Sequence, residues 1–145
     1  NFAFTMFHAQ NMPELRFKWA GVEKFGDDLW QVTVEIENTK LIGSRLAIAA
    51  RNKIGLPDML TLDGADVVLS GRVSDRFDQS MYPTQDRPNR LLIEDGISGE
   101  SHSTFRFLVR GDEGSMIELN YQAEKARDIQ ARFPLREREI DLSDK

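Results

Sequence analysis

The chain has 145 residues, of which 24 are Asp or Glu and 19 Lys or Arg, for a net charge of −5, with two His and no Cys. That length suits one domain and can bury a core without a disulfide or metal staple. The counts exclude a disulfide framework, a Cys-based zinc site, a thiol nucleophile and a three-His centre built from one chain. The acidic balance argues against a general nucleic-acid binder, whose affinity comes from neutralising phosphates. No stretch approaches the roughly 20 consecutive apolar residues of a membrane span.

Residues 1–13 stand apart. Phe2, Phe4, Met6, Phe7 and Met12 crowd a short segment that ends at Pro13. Two readings are open: a terminal element packed on this domain's own core, or a contact with an upstream domain. Phe2, Phe4 and Phe7 are the candidate interdomain contacts, because exposed apolar clusters mark partners. The start at Asn1 rather than Met favours a piece of a longer chain. The segment lacks a basic leader, so a secretion signal would lie further upstream.

From residue 14 the dominant period is two, the mark of half-buried strands. Leu15, Phe17 and Trp19 alternate with charged residues, which predicts one core-facing row. Trp30, Val32, Val34 and Ile36 form the clearest strand, ending at the turn-favouring Asn38-Thr39. Leu46, Ile48 and Ala50 predict another. A loop holding Gly55 leads to a strand at Met59 to Leu62, a turn at Asp63-Gly64 and a strand at Ala65 to Ser70. Residues 74–90 carry three Asp and two Pro and read as a long surface loop. Leu91 to Ile93 is a short strand, and Phe105, Phe107 and Val109 belong to a longer one. A hairpin loop at 111–114 precedes the strand of Ile117, Leu119, Tyr121 and Ala123. Ile129, Ala131, Phe133 and Leu135 alternate as a last strand, although Ala123, Ala126, Ile129 and Phe133 would also suit a helix. Everything from 137 to 145 reads as a charged, solvated tail.

Seven to nine short strands with Gly, Asp and Asn turns predict an all-β fold, an Ig-like or fibronectin-like antiparallel β-sandwich over residues 14–136. The chemistry-bearing residues do not assemble a catalytic set. His8 and His102 lack zinc-ligand spacing. Gly96-Ile97-Ser98-Gly99-Glu100 misses the second Gly of a nucleophile elbow. Ser101 and Ser103 flank His102, but neighbours on a strand face opposite ways. Acid pairs at Asp27/Asp28, Glu94/Asp95 and Asp112/Glu113 sit at turns, and none forms a calcium loop. Trp19, Trp30, Tyr82 and Tyr121 are candidates for a carbohydrate platform, with core packing the default for the two Trp. Arg72, Arg76, Arg87 and Arg90 surround the long loop as a candidate anion surface or a solvated face.

Residues 15–39, with Trp30, Val32, Val34, Ile36, Asn38 and Thr39 in one alternating run behind Pro13, resemble a bacterial β-sandwich appended to zinc carboxypeptidases of the M14 peptidase family. Residues 124–135 resemble that domain's closing strand. Lys40 and Gly43 depart from the pattern that follows the Asn-Thr, and residues 52–104 do not match it. The resemblance implies a non-catalytic C-terminal accessory domain for interdomain packing or substrate positioning. It carries no catalytic, cofactor or metal residue of its own. The zinc and catalytic groups would lie in an upstream catalytic domain, which would be its partner. A periplasmic or extracellular location follows from the same resemblance. The alternative is an adhesion or carbohydrate-binding Ig-like module of a bacterial secreted protein.

Overall fold

A computed structural model describes residues 12–45, 51–52, 55–73, 82–83, 89–93, 96–124 and 126–142. The expected strand at 46–50, most of the 74–90 loop, and Phe2, Phe4 and Phe7 fall outside these residues.

The described residues form ten strands: β1 (Leu15–Lys24), β2 (Leu29–Asn38), β3 (Asp58–Asp63), β4 (Asp66–Val73), β5 (Tyr82–Pro83), β6 (Arg90–Ile93), β7 (Ser101–Arg110), β8 (Met116–Ala123), β9 (Ala126–Pro134) and β10 (Arg138–Asp141). They make two antiparallel sheets, ordered β10-β1-β2-β7-β4-β5 and β6-β3-β8-β9. The protein is an all-β sandwich, as the alternation predicts. Eight strands fall where the alternation places them; β10 and the two-residue β5 complete the ten.

The core lies between the sheets. Trp30, Val34, Ile36, Phe105 and Phe107 from one sheet meet Leu60, Leu119 and Tyr121 from the other, all at 0% exposure. Each such apolar side chain contributes roughly 1.5–3 kcal/mol by leaving water. Trp30 keeps a polar handle within this core, donating from Nε1 to the Gly111 carbonyl at 2.9 Å.

Two features differ from the sequence expectation. First, β1 slips against β2 between Phe17, opposite Ile36, and Trp19, opposite Glu35. Lys18 is the extra residue of a β-bulge, and one inserted residue sends every later side chain to the other face. Leu15 and Phe17 enter the core, but Trp19 emerges on the outer face; Ala20 and Val22 replace it inside. Second, the segment expected as a charged tail supplies β10, which pairs Ile140 with Ala20 along the edge of β1. Ile140 and Leu142 are buried, and Leu142 donates its amide to the Lys18 carbonyl at 3.1 Å. Two apolar residues among charges suffice here, because the strand covers only one edge of an existing sheet. The last strand expected from Ile129, Ala131 and Phe133 is β9, not the helix that the same spacing would also suit: it pairs with β8 from Met116 opposite Pro134 to Ala123 opposite Ala126, with a register shift between Tyr121 and Ala123.

The turns sort to two ends. Residues 25–28, 64–65, 111–115 and 135–137 form the upper end. Residues 12–14, 39–45, 55–57, 96–100 and 124 form the lower end.

Candidate interaction surfaces

The lower end is built on polar side chains that hold its loops. Asn38, 2% exposed, closes β2 there. Its Oδ1 accepts from the amides of Glu14 (3.3 Å) and Lys40 (3.1 Å), and its Nδ2 donates to the carbonyls of Ile42 (2.7 Å) and Ile97 (3.4 Å). All four of its hydrogen-bonding positions are filled. The Asn-Thr read from sequence as a simple turn is therefore a clamp joining three segments. Deeper in, Asp58 (1% exposed) accepts from the Tyr121 hydroxyl at 2.7 Å and from the Ser44 hydroxyl. Ser44 Oγ in turn accepts the Ile97 amide at 2.7 Å. Burial, and then the Asp58 carboxylate, push the Tyr121 phenol well above its ordinary range. Tyr121 is thus a core strut rather than a platform for sugar.

On this braced end, apolar side chains face outward. Leu56 is 70% exposed, Leu41 51%, Leu92 41% and Met12 36%. Leu56 is held out by a hydrogen bond from its amide to Glu124 Oε1 at 2.8 Å, behind Gly55 at φ +75°. Leu56, Pro57, Met59 and Leu92 line a hollow of about 560 Å³, and Met12, Pro13, Leu15 and Ile129 line another of about 550 Å³; Asp128 borders both.

The second surface lies on the outer face of the six-stranded sheet. The distal ring of Trp19 covers Gly21, where a Cβ would overlap its Cη2 and Cζ2 atoms. Beside it, a hollow of about 320 Å³ is walled by Glu23, Gln31, Thr33, Glu137, Arg138 and Glu139. Thr33 accepts from Arg106 Nε at 3.1 Å. Thr33, Glu35, Thr104 and Arg106, which alternation assigns to the solvent side, are all buried there. The sequence offers Trp19 as a platform candidate but makes core packing its default; the structure puts it on the outer face. The bulge that turns this half-buried ring to the outer face leaves no mark in a period-two pattern.

The remaining candidates are dispersed. His102 is exposed on β7 opposite Glu37, while the adjacent Ser103 is buried and accepts from Arg72 Nη2 at 2.9 Å. His8, Arg76 and Arg87 lie outside the described residues, as does the side chain of Tyr82. Asp27 and Asp28 are exposed at the upper end, as are Asp112 and Glu113. Among the described residues, no three His, Cys, Asp or Glu side chains gather in a way that would hold a metal ion. No helix among them is long and apolar enough to cross a membrane.

Fold and surfaces define a small β-sandwich domain with outward-facing hollows at its lower end and on the outer face of its six-stranded sheet. The chain belongs to the family described as "Domain of unknown function (DUF8731)", whose model matches residues 14–134. No curated protein matches it. Among solved structures it is similar to the archaellum periplasmic stator protein FlaG from Sulfolobus acidocaldarius, at 8% identity and TM-score 0.44, over 84% of this chain and 100% of that one. A conjugate transposon protein (residues 27–141) from Bacteroides vulgatus gives 13% identity and TM-score 0.40, over 85% of this chain and 84% of that one. The GAE domain of yeast GGA1 gives 14% and 0.33, over 84% and 91%. The fold described above stands on its own strands and pairings.

Proposed function

We propose that the chain is a non-catalytic accessory β-sandwich that packs against a neighbouring domain through its lower end. The observation that carries this reading is Leu56, 70% exposed and held outward by Glu124, beside the exposed Leu92. Contiguous apolar surface of this kind is what domain contacts cover. The test is hydrogen exchange in the intact parent protein. The lower end, residues 55–59 and 90–93, is expected to be more protected in the parent than in this chain alone. Leu56→Ser with Leu92→Ser should erase that difference while shifting the chain's own stability by no more than about 0.5 kcal/mol, as exposed substitutions do. Equal exchange in the isolated chain and the parent would sink the reading.

The finer proposal concerns the neighbour. The run from Leu15 to Thr39 resembles the sandwich appended to M14 zinc carboxypeptidases, which favours an upstream zinc peptidase domain acting in the periplasm or outside the cell. On that reading the parent releases C-terminal amino acids from peptides and loses this activity to a zinc chelator, and residues 1–145 alone release none. Phe2, Phe4 and Phe7 would then belong to the domain contact. Changing all three to Ser is expected to lower the parent's stability; unchanged stability and solubility would remove them from it.

A further inference from the structure

We propose that the hollow beside Trp19 is a saccharide-binding site. This inference goes beyond the accessory role and stands on different residues, at the middle and upper part of the outer sheet face. A pyranose ring has an apolar face of C–H groups and a rim of hydroxyls, each able to donate and accept. Its partner surface needs an aromatic ring flanked by both kinds of polar group. The hollow supplies this set. Trp19 is turned outward by the Lys18 bulge, and its ring has room over β1 only because residue 21 is glycine. Around it stand the amide of Gln31 and the carboxylates of Glu23 and Glu139, with Thr33, Glu137 and Arg138 completing the lining. The volume, about 320 Å³, lies at the small end of the ligand-site range and suits one or two sugar rings. The neutral Gln31 and Thr33 in the wall beside the aromatic ring favour a hydroxyl-rich ligand over a cation.

The site is assembled by rigid elements. Gly21 faces Thr33 and Glu139 across its two neighbouring strands, while Trp19 faces Glu35 and Asp141. Trp19, Gln31 and Glu139 therefore sit on three adjacent strands whose register fixes their spacing. Strand-borne groups hold a binding geometry more closely than loops do.

The experiment is an NMR titration of the ¹⁵N-labelled chain with cellohexaose, xylohexaose, chitohexaose and maltohexaose in separate runs, and with spermine as a cationic control. At least one oligosaccharide is expected to shift the Trp19 indole N–H and the Gln31 side-chain amide. Trp19→Ala should weaken that binding by about tenfold or more with the strand amide pattern retained. Should Trp19→Ala fail to fold, Gln31→Ala and Glu139→Gln carry the test, each expected to weaken binding several-fold. The proposal is overturned if no oligosaccharide shifts the Trp19 signal, if the variants bind as the parent sequence does, or if only spermine binds there. None of those outcomes touches the lower-end contact, whose hydrogen-exchange test reads other residues.

Discussion

A carboxylate between two sheets keeps its place only with donors aimed at it, and Asp58 has two hydroxyls, from Tyr121 and Ser44. Removing one partner costs more than the bond itself, because the remaining buried group stays desolvated. Tyr121→Phe is therefore expected to lower stability by about 1–3 kcal/mol, read by urea unfolding. The same residue sets an alkaline limit. Burial first, and then Asp58, raise the folded-state pKa of Tyr121 above its unfolded value. A raised folded pKa means that this contribution is complete below the unfolded value, about 10, and is lost as pH climbs beyond it. Unfolding free energy should fall above about pH 10, and the Phe variant should show a shallower fall. On the outer face, Thr33→Val removes the acceptor for Arg106 Nε; a loss of similar size, again about 1–3 kcal/mol, is expected in the same urea measurement.

At the scale of elements, the alternation of Trp30, Val32, Val34 and Ile36 and of Phe105, Phe107 and Val109 was sufficient to place β2 and β7, because each buries one face. What alternation could not carry was an interruption of itself. Lys18 looks like any other polar position, yet as a bulge it reassigns Trp19 from core to surface, and with it the candidate ligand hollow. β10 was hidden for a different reason. Its sequence, Arg-Glu-Ile-Asp, presents one apolar side chain, and only the waiting edge of β1 makes that enough. The lower-end surface is partly legible: Met12 stands in the apolar run before Pro13, but the exposure of Leu56 depends on Glu124, distant in sequence. Ile140→Ala tests the weight of β10. A loss of about 2 kcal/mol, the low end for truncating a buried Ile, is expected in thermal or urea unfolding, with faster amide exchange along Trp19 to Val22.

The whole molecule is held by distant pairings. β1 meets β10 at the far end of the chain, and β2 meets β7 across the intervening β3 to β6. Loops of that length must close before their contacts stabilise anything, so folding belongs to the slow class of β-sandwiches. Refolding followed by Trp30 fluorescence is expected in the millisecond-to-second range; microsecond refolding would contradict the topology. Surface ion pairs such as Arg110 with Asp28 (3.6 Å) join half-exposed side chains and add little. Stability should therefore change only slightly with salt.

The pairing of β1 with β10 has one more consequence. β1 leaves the lower end, and β10 runs back along it as far as Lys18, so Glu14 and Leu142 border the same groove. The fold thus departs from and comes back to one side of the sandwich. Such a unit can be spliced into a loop of another protein without prising that host apart. It can also be rewired: a short linker from residue 142 to residue 14, with the chain reopened in the exposed turn at 113–114, should leave both sheets intact.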